Sequence, residues 1–253
     1  MKRVIVLILL CLSQWSVAQS GLQNIAQKPA SDSVSVYQFK YKKLIVPSVF
    51  IGYGILSLTS DDLKQLNNST RYEIGEHQPD KSKLDNYAQY LPAALVYGLN
   101  AIGLEGKHNL KDRSIILGTS LLISSAVVLP AKHLVKEERP DGSNALSFPS
   151  GHTTFAFATA QFMFREYQDE NIWLSLTGYP IAVFTGVYRI LNDKHWVGDV
   201  VAGAGIGILS TEVAYWLFPK VSQLFSINHT ENSALVYPFY QSKTMGLGLS
   251  LNF

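Results

Sequence analysis

The chain has 253 residues, 47% of them hydrophobic and 16% charged, with a mean hydropathy of +0.10 and a formal net charge of +2. That length suffices for one sizeable core, and the apolar content exceeds that of an ordinary soluble enzyme without reaching a transporter's. The small net charge, and the lack of any basic run interleaved with aromatics, exclude a nucleic-acid-binding groove.

Residues 1–18 join Lys2 and Arg3 to an apolar run from Val4 to Leu12, followed by the small residues Ser16 and Ala18. This is the pattern of a secretory signal peptide cut before Gln19; the alternative, an uncleaved anchor, would have a short apolar core for a span. Cys11 lies inside the run and is the sole cysteine, so cleavage leaves a mature chain with no disulfide framework and no thiol chemistry. Residues 19–40 are polar and Ser/Gln-rich, which predicts a flexible mature N-terminus.

Residues 41–220 carry the apolar segments and are expected to form one helical domain. Leu44–Leu58 comes first, and Pro47, Gly52 and Gly54 predict a kinked or interfacial helix that does not span. Residues 59–84 are polar and predict a partly helical surface region. Tyr87–Leu104, interrupted by Gln89 and Asn100, is the second apolar segment, and the uncharged Ser114–Pro130 is the third. His108, in the polar turn between them, reads as a surface residue. His152–Phe164, Ile172–Ile190 and Trp196–Phe218 complete the set, with lengths straddling the roughly 20 residues that cross a bilayer. In the last of these, Gly203 and Gly207 lie four apart and would let another helix approach closely.

The tail, 221–253, changes period. From Met245 to Phe253 apolar residues alternate with small or polar ones, predicting a strand with Ser233–Tyr240 as its hairpin partner. Two strands cannot close a barrel. The expected fold class is therefore all-α: a bundle of about six apolar helices, membrane-embedded, with a short C-terminal β-hairpin.

Three polar clusters stand at the boundaries of these helices. Lys132 precedes Arg139-Pro140, then comes Pro149-Ser150-Gly151-His152, then Arg189 followed by His195 and Asp199. His195 and Asp199 are at i and i+4, so near a helix start they share one face, and the carboxylate can hold one ring nitrogen protonated while the other is free as a nucleophile. His152 opens a helix just after the Ser150-Gly151 turn, where backbone amides can face an anion and the imidazole can act as general acid. Lys132, Arg139 and Arg189 supply positive charge suited to phosphoryl oxygens. Each feature alone has an ordinary explanation as a salt bridge, a cap or a snorkelling cation. Lys136, Glu137 and Glu138 read as a solvated helix face, Asp193 and Lys194 as exposed, and Trp196 as a packing residue.

Together the clusters resemble the type 2 phosphatidic acid phosphatases, within the superfamily they share with bacterial class A acid phosphatases and vanadium haloperoxidases. The resemblance covers roughly residues 40–220. It implies that Lys132, Arg139, Arg189 and the Ser150-Gly151 turn bind phosphate and that His195, oriented by Asp199, attacks phosphorus to give a phosphohistidine. It further implies that His152 protonates the leaving oxygen and that no metal or other cofactor takes part. Tyr188 stands where the family usually has serine, which alters a pocket-wall contact and removes no acid, base or phosphate ligand. The implied substrate is a lipid or lipid-linked phosphate or pyrophosphate, met at a membrane bilayer of the bacterial cell envelope with the site facing the periplasm; the particular lipid and the oligomeric state stay open. Alternatives are a soluble periplasmic non-specific acid phosphatase, a vanadium-dependent haloperoxidase, and an inactive helical scaffold. A cleaved signal followed by three crossings would put the site in the cytoplasm, so a periplasmic site requires Leu44–Leu58 not to span.

Overall fold

The computed structural model describes residues 40–77, 83–225, 233–241 and 244–252. The expected signal peptide and the polar stretch up to residue 39 lie outside the described residues. Helices form at α1 (Lys42–Ser57), α2 (Asp61–His77), α3 (Asp85–Ala88), α4 (Leu91–Ala101), α5 (Leu110–Val135), α6 (Gly151–Tyr167), α7 (Ile172–Leu176), α8 (Gly178–Leu191) and α9 (Val197–Leu224). Ser233–Gln241 and Thr244–Asn252 pair antiparallel, with Ser233 opposite Asn252 and Gln241 opposite Thr244.

Start signals in the sequence account for the long helices. Asn109 accepts the Asp112 N–H at 2.9 Å to open α5, and the Ser150 side chain caps α6 at the Thr153 N–H. Asp199 closes a capping arrangement at the start of α9 by accepting the Trp196 N–H at 2.9 Å. The fifth apolar segment is interrupted only at Thr177, between α7 and α8.

Helix α9 is the hub, packed against α1, α5 and α6. Its small residues permit this on two faces. A Cβ on Gly207 would lie 2.2 Å from the Thr154 carbonyl oxygen of α6, and one on Gly205 would lie 2.6 Å from the Pro47 oxygen of α1.

The packing shows how α1 runs. Its C-terminal Ser57 meets Gly198 at the start of α9, while the Lys43 Nζ near its beginning is 3.6 Å from Glu212 Oε2. Helix α1 therefore runs antiparallel to α9 over about 20 Å at 1.5 Å per residue. Pro47 lies in the second turn, where it forgoes the hydrogen bond to the Lys43 carbonyl, and the helix continues through it to Ser57. The chain bends by 88° between α1 and α2, and α2 turns its Arg71 to 5.9 Å above the Trp196 ring.

Among the described residues three helical segments are long and apolar enough to cross a membrane, Leu110–Val135, Ile172–Leu191 and Val197–Leu224, and the bent pair α1–α2 makes a fourth if it is counted as one broken span. One end of the bundle is filled by Val96, Ile116, Phe162, Met163, Tyr167, Tyr215 and Phe218. Buried Glu166 sits at that end and takes the Tyr215 hydroxyl at 2.7 Å, the His108 N–H at 3.1 Å and the His108 Nδ1 at 2.8 Å. His108 is thus a partner of a buried acid rather than a surface residue. A carboxylate removed from water must collect donors, and the turn before α5 supplies them.

Candidate active site

The other end of the bundle gathers all three polar clusters. The C-terminus of α5 brings Lys132, the loop 136–150 brings Arg139, the start of α6 brings His152, the end of α8 brings Arg189, and the turn into α9 brings His195 and Asp199. Antiparallel packing of helices joined by short turns makes this convergence possible: residues separated by up to 67 positions lie at the same end.

His195 and Asp199 are almost fully buried, 2% and 1% exposed, with Nδ1 3.5 Å from Oδ2. That spacing is loose for a hydrogen bond. The reason is Ser147, also buried, whose hydroxyl donates to the same Oδ2 at 2.5 Å and lies 3.5 Å from the His195 Nδ1. Burial lowers the pKa of His195 to about 4, more than Asp199 raises it, so the imidazole is neutral at neutral pH. A neutral ring fixed at Nδ1 leaves the Nε2 lone pair available to attack an electrophile.

His152 lies at the start of α6 with its Nε2–H donating to Asn86 Oδ1 at 2.7 Å. Burial first, then Arg189, Arg139 and Lys132, lower its pKa to about 4, while Asp85 opposes them. The same three cations that would hold an oxyanion thus act on this ring. Arg189 donates to Asp85 Oδ2 at 2.6 Å in an ion pair whose side chains are 9% and 1% exposed. Asp85 and Asn86 belong to one short helix, α3, and are functional neighbours that the sequence reading did not find. A four-residue helix with one acid in a polar region carries no periodic signal.

The loop 136–150 is pinned by its own polar groups. Lys132 Nζ donates to the carbonyls of Leu146 at 2.7 Å and Ser147 at 3.1 Å, so two of its three N–H donors hold the loop. Trp196 Nε1 donates to the Glu138 carbonyl at 2.8 Å, and Lys194 pairs with Asp141 at 2.5 Å. The expectation for the Ser150-Gly151 turn needs correcting in part: the Ser150 N–H donates to the Asp199 carbonyl at 3.1 Å, and its side chain serves the cap of α6. Ser150 therefore joins α6 to α9, and Gly151 and His152 are left as the first-turn amides without an intrahelical carbonyl. Glu137, expected on a solvated face, has its Oε2 buried against the Asp199 side. Helix α5 ends at Val135, and Lys136 in the left-handed region, φ 54°, turns the following residue inward.

Two guanidinium donors in the pocket are unspent: Arg139 Nε and Arg189 Nε are buried and have no hydrogen-bond partner among the described residues. Burying a charged donor without an acceptor is costly, and an anion between the two arginines removes that cost. Beside the pocket, Leu84, Tyr87, Leu91, Ile181 and Phe184 line an apolar groove of 490 Å³ built from α3, α4 and α8. Tyr188 lies against Phe184 with ring centroids 4.5 Å apart, so the residue that replaces the family's serine packs near this groove. Among the described residues no group of three or more His, Cys, Asp or Glu side chains could hold a metal ion.

Comparisons with known proteins match the part of the chain that carries most of these residues. Residues 113–223 match the family model described as the PAP2 superfamily. The lipid A 1-phosphatase of Porphyromonas gingivalis is 37% identical over 139 residues, which cover 54% of this chain and 31% of that protein. The lipid A 1-phosphatase of Helicobacter pylori is 27% identical over 143 residues, 54% of this chain and 70% of that one. A solved structure, the first transmembrane PAP2-type phosphatidylglycerolphosphate phosphatase from Bacillus subtilis, is 18% identical and superposes with a TM-score of 0.49 over 75% of this chain and 100% of that one. This chain thus spans about a third of the length of the Porphyromonas protein.

Proposed function

We propose that this chain, whose residues 113–223 match the PAP2 superfamily, hydrolyses a lipid or lipid-linked phosphate ester at a membrane surface by way of a phosphohistidine. The observation that carries the reading is the pair of unspent buried guanidinium donors on Arg139 and Arg189, set around His195 and His152. An anion placed there meets both arginines, the third donor of Lys132 and the first-turn amides of α6.

The chemistry follows from the protonation states. His195 Nε2 attacks phosphorus, the new P–N bond forms as the ester P–O bond breaks, and the cations hold the charge on the equatorial oxygens. His152 delivers a proton to the leaving oxygen. At rest its Nε2–H is held by Asn86 and the ring is neutral, so it needs a second proton before it can act. An arriving phosphate dianion offsets the three cations that depress its pKa and so favours that proton. Water then attacks the phosphohistidine, with His152 now able to take a proton from it, and inorganic phosphate leaves. The residues at this site supply the positive charge and the acid themselves, so no step calls on a metal.

The apolar groove favours a lipid over a soluble ester. It shares α3 and α8 with the headgroup site, so a hydrocarbon chain lying on Leu84, Tyr87 and Phe184 would bring its phosphate to Arg189. The lipid A 1-phosphatases among the relatives support lipid A as one candidate substrate. We place the site on the periplasmic side of a bacterial membrane. Because α1 runs alongside α9 with its Lys42 end away from the site, a periplasmic site puts that end toward the cytoplasm, whereas a cleaved signal peptide would start the mature chain outside. A cysteine placed at the exposed Ser143 decides the matter: labelling by an impermeant reagent in spheroplasts supports the periplasmic site, and silence there with labelling after lysis refutes it.

The defining experiment is phosphate release from a lipid A 1-phosphate or a prenyl pyrophosphate by the purified full chain with chelator present. Vanadate should inhibit, and His195→Ala should abolish turnover. A His195→Ala protein as active as the parent would remove the nucleophile. Halide oxidation by peroxide with vanadate bound, and no phosphate release, would favour the haloperoxidase reading instead.

A further inference from the structure

We propose that Glu137 is a positioning residue that shares one proton with Asp199 and so holds the carboxylate behind His195 in place. The kinetic consequences rest on the phosphatase reading; the shared proton rests on the geometry alone.

Ser147 stitches the two acids together. Its N–H donates to the Glu137 carbonyl at 2.9 Å, and its hydroxyl donates to Asp199 Oδ2 at 2.5 Å. Asp199 Oδ2 also receives the Trp196 N–H and faces His195, so every donor Asp199 has from elsewhere goes to one oxygen. Its other oxygen, Oδ1, is buried and has no donor, and the same is true of Glu137 Oε2. The two side chains lie within hydrogen-bonding reach of one another, each with one buried oxygen that has no donor. Ionised carboxylates only accept, so a bond between them requires one proton, and with it the two orphaned oxygens satisfy each other.

The surroundings agree on which acid carries it. Burial, then the Asp199 carboxyl, push Glu137 well above the usual carboxylate range, against the pull of Lys132 from α5 and Lys64 from α2. Asp199, which faces His195, is then the ionised member of the pair. With the proton in place the pair bears one negative charge; without it, two adjacent carboxylates repel and Asp199 loses its support. Glu137 touches neither substrate nor His195 and acts only through Asp199.

The test uses the detergent-solubilised full chain and two readouts. In infrared spectra, wild type minus Glu137→Gln should contain a protonated-carboxyl C=O band that disappears as the pH is raised. Asp199→Asn should also lose it, because an amide can donate to Glu137 directly. Glu137→Ala should lower kcat about 10- to 100-fold with KM little changed, the range for groups that orient a functional histidine from behind, and Glu137→Gln should recover part of the loss. A wild-type spectrum lacking the band, a band that persists in Glu137→Gln, or a Glu137→Gln protein no more active than Glu137→Ala would overturn the proposal. A band that behaves as stated in a protein that releases no phosphate leaves the shared proton standing and defeats the phosphatase reading.

Discussion

Removing Asp85 tests the pocket without touching a group that reacts. Arg189 is 9% exposed and donates to Asp85 Oδ2 at 2.6 Å, so Asp85→Ala strands a buried guanidinium. Breaking a buried ion pair from one side costs about 3–5 kcal/mol. At roughly 2–4 °C per kcal/mol for a chain of this size, the thermal midpoint should fall by about 6–20 °C. The loss should be returned in part by an oxyanion, because phosphate or vanadate supplies the acceptor that Asp85 no longer does. A ligand at a hundred times its Kd adds about 2.7 kcal/mol to the native state, and the stranded Arg189 should make this gain larger in the variant than in wild type. Thermal unfolding in detergent, with and without vanadate, measures both quantities. Equal vanadate-induced shifts in the two proteins would mean that Arg189 does not face the anion, and an unchanged midpoint without ligand would mean that the ion pair is not buried as described.

Two further outcomes follow from the same structure. His195 and His152 have pKa values of about 4, below the usual value near 6.5, so the unfolded chain takes up protons first as the pH falls. Their contribution to stability is present above about pH 6.5 and is lost as the pH falls toward 4, which chemical denaturation at a series of pH values would register as a declining midpoint. A midpoint rising between pH 6.5 and 4 in wild type but not in a double His→Ala variant would contradict it. Gly207→Val places a side chain where a Cβ alone would meet the Thr154 carbonyl at 2.2 Å, and backbone cannot step aside as a side-chain tip can. Overpacking costs about 1–3 kcal/mol or more, so this variant should unfold earlier and lose activity through the α6–α9 contact, whereas Gly52→Val, with open space around it, should not.

Much of this was legible in the sequence because it was local. The apolar segments, the Ser150-Gly151 turn that opens a helix, and the small residues of α9 each depend on neighbours a few positions away, and the short spacing of His195 from Asp199 already brought the two together, although His195 lies in the turn just before α9 and not on its face. The chemical types at Lys132, Arg139, His152 and Arg189 were likewise visible, since an oxyanion site needs fixed cations and a titratable ring.

What only the tertiary structure decided was where buried polar groups find their partners. Nothing near Glu137 in sequence shows that a left-handed Lys136 turns it toward Asp199, and a run of Lys-Glu-Glu reads as solvated until the chain reverses. Asp85 and Asn86 sit in a polar stretch, and their roles appear only when α3 is set against α6 and α8. His108 became a partner of Glu166 for the same reason, as did Ser150, whose amide is spent on the Asp199 carbonyl. Along α1 the glycines also part company only in three dimensions: a Cβ on Gly54 would lie 2.4 Å from the Ala202 Cβ of α9, whereas Gly52 has open space around it. Local chemistry determines which groups are present; removal from water determines which of them must meet, and that is settled by helices brought together from distant parts of the chain.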